Sequence, residues 1–534
     1  MVLSKKNRIF AYYNEKYVLT LLNNQYKYMN IKNLSRISAT FAAVFALIFG
    51  ASEISAKDLV FDDVAPGTLE SLVGADTDAT SLTVKGSIDV RDLDFIGLSM
   101  SNLDKLNIKE ANIAAYNGFR AVSQLSDFKA NEMPKLCLTG SPITEIVLPQ
   151  SLTEIGAGAL ANTKLKTLEI PANIQAIGDG AFANCNGLTE VTIPASLKTM
   201  GIGMFIRCEA LNKVNFKAEF IPDETFRGCT ALETGVTGPA LKSIGNRAFA
   251  DCSNLKSISF EGTGLRAIGD EAFRGTAMED IDLVAQNNLN VLGSWALADM
   301  PDLQKVILPQ SVTTLGTGTF FNDNSLSDYN YSKSVNTIGV ATYKGTSIDS
   351  LYFLHENLKE LPAYALYGMD KIKLLHLPAA LTYIGDHAMD GLSSLKELSA
   401  PTLPIVPELG EDVWGDMDKS KVNLGVQEDL QDNFAAADQW KDFNIIKAHI
   451  DPPITALDVV DSDDDTINVR WEGMTMIISS ATPMQWVELY DTLGRKLYNS
   501  GDLQGSTTVA IDTSRFTTSL YIVNTPLGST KTLR

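Results

Sequence analysis

The sequence predicts a repeat solenoid, a parallel β-sheet closed by irregular or short helical returns, followed by a small C-terminal β-sandwich. Three observations carry this. An aliphatic residue, usually followed by Gly, recurs at intervals of 21 to 24 residues from Ile155 to Ile384. A bulky apolar residue follows each of these anchors five positions on. After Pro452 and Pro453 the pattern changes to short β-rich runs separated by Gly, Asp and Asn turns. A fixed period of this length marks an array of stacked units rather than one ordinary core.

The anchors are Ile155, Ile177, Met200, Ile221, Ile244, Ile268, Leu292, Leu315, Ile338, Leu361 and Ile384. Their partners are Leu160, Phe182, Phe205, Phe226, Phe249, Phe273, Leu297, Phe320, Tyr343, Leu366 and Met389. Within a unit such as 188–208, Val191 and Ile193 alternate with polar residues and predict a short strand with one buried face. Pro194 ends it, because proline has no N–H to give to a ladder. Leu197 and Met200 return to the core, Gly201 turns the chain, and Phe205 and Cys208 close the coil. A lone unit buries too few apolar side chains to offset the entropy of ordering its backbone, so the coils fold only by stacking. At about 4.8 Å per strand, such an array is roughly 50 Å long.

This unit, cleanest in TLEIPANIQAIGDGAFANC (167–185), resembles the BspA-like leucine-rich repeat of bacterial surface proteins. The resemblance spans 136–401. Residues 82–113, within 57–135, are similar to the N-terminal cap of such proteins, and 421–446, within 402–450, to the strand-plus-helix cap that ends the array. The resemblance implies a solenoid displayed outside the cell, with adhesion or binding of host protein as its usual role and no cofactor.

Residues 1–56 read as an address. Lys32 and Arg36 precede an apolar run from Ile37 to Phe49, the size of a signal-peptide core and too short for a membrane span. Cleavage is expected after Ser52 or Ala56. Met29 is a better start than Met1, which makes 1–28 an upstream extension. No later stretch is apolar enough to span a bilayer, so no transmembrane span is expected after cleavage.

Charge narrows the partners. The net charge is −20, and because 1–56 carries a local +5 the remainder carries −25. Such a surface repels phosphate backbones, which excludes nucleic acid as a natural partner. Cys185, Cys208, Cys229 and Cys252 each fall three residues after a bulky partner, so they form one column and read as small buried hydrophobes. Cys137 stands apart, and no CxxC pair occurs. His355, His376, His387 and His449 form no HExxH, and GxSxG and P-loop motifs are missing, so no catalytic residue is assigned. Asp461, Asp463, Asp465 and Glu472 take the spacing of positions 1, 3, 5 and 12 of a calcium loop. Thr466 stands where that loop needs Gly, and 467–471 alternate like a strand, so an acidic linker entering a β domain competes with a weak calcium site.

The segment 451–534 contains seven β-rich runs, at 467–471, 475–479, 486–490, 495–498, 507–511, 520–524 and 530–533. They predict the β-sandwich. VELYDTLGRKLYNSGD (487–502) and VAIDTSRFTTSLYIVN (509–524) resemble the C-terminal sorting domain of type IX secretion cargo in Bacteroidetes, matching at Asp491, Gly494 and Arg495 and at Leu520 to Val523. Ser519 replaces the Gly usual there.

A ligand face follows from strand alternation. The residue between the two inward ones points outward, and the column reads Glu169, Thr192, Asn215, Ser259, Asp282, Ile307, Asn330, Tyr352, His376 and Ser399. Its first half is polar. Its second half groups Ile307, Tyr352 and His376, with Leu374 beside them, and these four are the candidate ligand-binding residues. Tyr352 points outward if the short link Gly345–Thr346, like Gly275–Thr276, shifts the strand by one. The expected function is non-enzymatic binding or adhesion toward an extracellular host or matrix protein or glycan. An accessory to an enzyme that processes extracellular glycan or protein, and a structural surface component, are the competing functions. Nothing in the residues sets the oligomeric state.

Overall fold

The computed structural model describes residues 57–330, 334–353, 357–400, 403–447, 467–472, 475–490, 496–501, 503–504, 506–513, 520–525 and 528–533. The expected leader in 1–56 lies outside the described residues, as do Asp461, Asp463 and Asp465.

All repeat coils but the one holding residues 167–170 contribute two parallel strands, where the sequence pattern predicted one. The predicted ladder is present: Glu190–Ile193, Lys213–Phe216, Thr234–Thr237 and Ser257–Phe260 pair in register, and the ladder resumes through Asp280–Asp282 and Ser350–Tyr352 to end at Asn444–Lys447. The second ladder consists of two-residue strands that end on the anchors, such as Ala176–Ile177 and Ser243–Ile244. It reaches one coil further each way than the eleven anchors. Met133 with Leu138 precedes Ile155, and Leu409 with Trp414 follows Ile384.

The second ladder is held by the amide after each anchor. Gly178 N–H donates to Ile155 O at 2.8 Å, Gly201 to Ile177 O at 2.7 Å and Gly293 to Ile268 O at 2.8 Å. The approach is so close that a Cβ on Gly201 would stand 2.2 Å from the Asp179 nitrogen of the coil before. The ladder breaks in two places, between Met200 and Ile221 and between Ile338 and Leu361. Pro222 and Pro362 occupy the position after the anchor there, and proline has no N–H to donate. The first ladder lapses at the two coils with the short GT link, where the strand begins twelve rather than thirteen residues after its anchor.

Between the ladders lies a spine of aromatic partners. Phe182 and Phe205 stack at 5.0 Å, Phe205 and Phe226 at 5.8 Å, and Phe226, Phe249 and Phe273 follow at 5.3 Å intervals. The cysteine column runs beside it. Cys208, Cys229 and Cys252 are buried and unbridged, and each thiol donates to the carbonyl of the aromatic residue in the preceding coil, at 3.2, 3.2 and 3.0 Å. Thr276 and Thr346 take the same column and donate to Phe273 O and Tyr343 O. Asp323 takes it too. The carboxylate is fully buried and accepts only the Met300 N–H, at 2.8 Å, and burial pushes its pKa up to about 8.

Of the irregular or short helical returns expected, the repeats use the irregular kind. From the N-terminal cap to residue 418 they are chains of turns, with no helix among the described residues. Helical returns, Leu69–Val73 and Val90–Ser99, belong to the cap, whose strands Asp58–Val64, Ser81–Ile88 and Lys105–Asn107 lead in parallel into Glu145–Val147. Asp92 pins that cap by accepting from the amides of Gly67, Leu69 and Asp89. At the far end Trp414, Phe434, Trp440 and Phe443 pack at 4.9 to 6.0 Å and close the core. Beyond it the seven expected strands occur, as antiparallel sheets of three and four strands. Met476, Ile478, Val487, Leu489, Ile511 and Val523 form their shared apolar cluster.

Two measurements test this packing. Phe249→Ala, at the middle of the spine, is expected to cost about 3–5 kcal/mol, read as a lower denaturation midpoint; an unchanged midpoint would overturn the register. Asp323 keeps its proton in the folded state up to about pH 8, whereas an unfolded Asp loses it near 4. The folded state therefore binds the extra proton, and this group's contribution to stability falls by about 1.4 kcal/mol per pH unit between those values. Asp323→Thr, which copies Thr346 of the next coil, is expected to melt higher than the parent at pH 8 and to lose that slope; melting curves at pH 4, 6 and 8 decide it.

Candidate functional site

The outer column of the first ladder is the candidate site, and the pairing register defines it. Thr192, Asn215, Val236 and Ser259 lie side by side, Asp282 beside Ile307, and Tyr352, His376, Ser399 and Gly425 in one row. Val236 is a member that alternation missed, because Gly235 takes the inward position where the other coils show an aliphatic residue.

The column changes character along the axis. Glu169, Thr192, Ser259 and Asp282 are exposed. Ile307, Tyr352 and Leu374 are half-buried. Asn330 does not face solvent. It is 4% exposed, accepts the Leu308 N–H at 2.7 Å and donates to Leu308 O at 2.8 Å, so its amide completes the neighbouring strand. His376, expected on the contact surface, is only 6% exposed. Its ring lies 6.2 Å from Tyr352 at 25°, and burial pushes its pKa down to about 4, so it is a neutral support for Tyr352. Tyr352 is itself pushed up to about 12 by burial and by the carboxylates of Glu397 and Asp349. Of the four named residues, Tyr352, Leu374 and His376 come together; Ile307 lies two strands away, about 10 Å.

The polar half holds a feature that the pattern did not signal. Residues 167–170 make only a single bridge, Thr167 with Glu145, instead of a strand. A groove of about 870 Å³ opens over this coil, lined by Val147, Lys166, Glu169, Thr192 and Lys217 among others. Its mixed charges and open form suit polar contacts.

For the calcium spacing, Glu472 ends the strand Ile467–Glu472 and pairs with Thr475. Extended backbone over the second half of that spacing is not the wrapped loop that calcium ligands require.

The comparisons with known proteins agree with the period. The BspA type leucine rich repeat region matches in six copies, over 129–233, 219–349 and 321–425. Solved structures similar to the chain include a leucine-rich repeat protein from Bacteroides ovatus (22% identity over 65% of this chain and 84% of that one, TM-score 0.47). A leucine-rich cell surface protein from Faecalibacterium prausnitzii is 20% identical over 49% of this chain and 83% of that one, with a TM-score of 0.26. The pneumococcal vaccine antigen PcpA is 16% identical over 65% and 85%, with a TM-score of 0.30. No curated protein matches the chain. The repeat region matched runs from the coil of Met133 through that of Leu409, more than half of the chain, and the chain belongs to the BspA-type leucine-rich repeat family.

Proposed function

We propose that the protein acts outside the cell as a non-enzymatic binding or adhesion module whose ligand is an extracellular protein or glycan. The observation that carries this is the change along the outer column, from exposed polar residues to half-buried Ile307 and, two strands on, the half-buried pair Tyr352 and Leu374. Apolar and aromatic side chains gathered on a sheet face are what a partner's contact residues need. Tyr352 offers area at low entropic cost, since its ring is already held against His376. Membership of a surface-protein repeat family supports the same role.

Export rests on the basic and apolar segments of 1–56. No helix among the described residues is long and apolar enough to cross a membrane. The C-terminal sheets, with their shared cluster, are taken as the β-sandwich of a sorting domain. Calcium at Asp461, Asp463, Asp465 and Glu472 is not part of this proposal.

Two experiments test it. N-terminal sequencing of the exported protein is expected to begin at Glu53 or Lys57; an intact Met1 found in the cytoplasm would sink export. Capture of host extracellular proteins and glycans is expected to yield a partner whose affinity drops at least about tenfold in Tyr352→Ser/Leu374→Ser, the scale of a lost hot spot. His376 is left in place because it is buried. Undiminished affinity with an unchanged melt would remove this face from consideration.

A further inference from the structure

The third residue after each anchor has left-handed backbone, with φ between 52° and 62° from Gly158 to His387. Glycine adopts this conformation without strain and a Cβ does not. Gly158, Gly180 and Gly203 occupy the column in the first coils. Glu224, Arg247 and Glu271 follow, and their side chains form an ion-pair ladder, Arg247 to Glu271 at 2.8 Å and to Glu224 at 3.5 Å. Further on the column holds Trp295 at φ 58°, Tyr364 at 59° and His387 at 52°. Bulky residues at such positions mark sites where strain is retained for a reason other than folding.

These three belong to one surface ridge on the turn edge, away from the sheet face. The six-membered ring of Trp295 lies across Gly318 of the next coil, 2.8 to 3.0 Å from where a Cβ would stand. Phe321 meets Trp295 edge-on at 4.8 Å. The Lys344 ammonium sits between two rings, 5.3 Å from Phe321 and 4.7 Å from Tyr367. Tyr367 meets Tyr364 at 5.6 Å, and Tyr364 stacks on His387 at 5.3 Å. The ridge crosses five coils, about 20 Å at the strand spacing. Tyr364 is 40% exposed, and Trp295, Phe321, Tyr367 and His387 are half-buried.

We infer that this ridge is a binding platform for a neutral, linear glycan. Charge excludes anionic polymers: the chain carries −20, Asp390 and Asp412 flank His387 at 3.9 and 3.8 Å, and Lys344 is clasped by rings. The same carboxylates can accept hydrogen bonds from sugar hydroxyls. Shape disfavours a protein partner, whose hot spots want a deep desolvated pocket, whereas a shallow edge of rings takes the C–H faces of sugars. The rise per coil is close to the length of one hexose in an extended chain, so successive sugars meet successive coils. The inference rests on the binding role proposed above but uses a separate surface from Tyr352 and Leu374.

The test is native affinity electrophoresis of the full chain in gels containing a neutral glucan, xylan or mannan, or the anionic polygalacturonate. The wild type is expected to be retarded by at least one neutral polymer and not by polygalacturonate. The variant Trp295→Gly/Tyr364→Gly/His387→Gly puts the strain-free residue at all three positions, so its melt should be unchanged or higher, and its retardation should be lost. Tyr352→Ser/Leu374→Ser should keep the retardation. The inference is overturned if no neutral polymer retards the wild type, if the glycine variant is retarded equally, or if the sheet-face variant loses retardation instead. That last result would leave the sheet-face proposal standing and remove the ridge.

Discussion

Hydrogen bonds between coils, rather than within them, hold this molecule together. The amide after an anchor, except where proline stands there, donates back to the previous coil, as Gly245 does to Ile221 O at 2.7 Å. The amide of each bulky partner donates forward, as Phe226 does to Ala248 O at 2.8 Å and Phe249 to Ala272 O at 2.8 Å. A coil without neighbours would leave both sets in water and its aromatic face exposed, so order spreads from coil to coil. The consequence is geometric. A residue's place within its coil decides which column it joins, and a column is the unit in which this chain builds a core, an ion-pair ladder or a binding surface.

Column logic explains what was legible in the sequence. The anchors and their partners carry enough bulk at a constant offset to be found from apolar pattern alone, and so do the cysteines three residues further on. The ladder breaks were also readable, since Pro222 and Pro362 stand where the other anchors are followed by an amide donor. The second ladder was not. Its strands are two residues long, too short for alternation to show, and backbone approach rather than side-chain pattern makes them. The end coils escaped because Met133 lacks the following Gly and Leu409 comes 25 residues after Ile384. Burial of His376 and Asn330 escaped for a different reason. Strand parity tells which side a residue leaves from, but not whether a neighbour covers it or whether an amide turns back to the backbone.

The candidate surfaces divide in the same way. The Tyr352 face was visible as a departure from polarity in a column that alternation defines. The aromatic edge was not, because the left-handed column is recognisable as special only once its φ values are known. Its sequence signal was present nonetheless: Trp295, Tyr364 and His387 align with Gly158, Gly180 and Gly203 at the same offset from their anchors.

Unbridged cysteines are compatible with the export proposed above for a reason that also comes from the columns. Oxidising compartments favour disulfides where thiols are accessible and ionise. Here each thiol of the column is buried against a carbonyl of the coil before, and burial pushes Cys229 up to about 12 and Cys252 well above its ordinary value. For Cys229 and Cys252 the thiolate that would start an exchange is therefore scarce, whereas hydrogen bonding with Cys208 lowers the Cys185 pKa; in each case the S–H bond to the carbonyl would have to break first. Thr276 and Thr346 instead give a hydroxyl to the partner carbonyl of their own coil, and Met300, Met369 and Leu392 fill the position in other coils, so the column asks for a buried side chain rather than for sulfur chemistry. Asp323 places a carboxyl in this buried column, where it accepts only the Met300 N–H, and its raised pKa is the physical record of the mismatch.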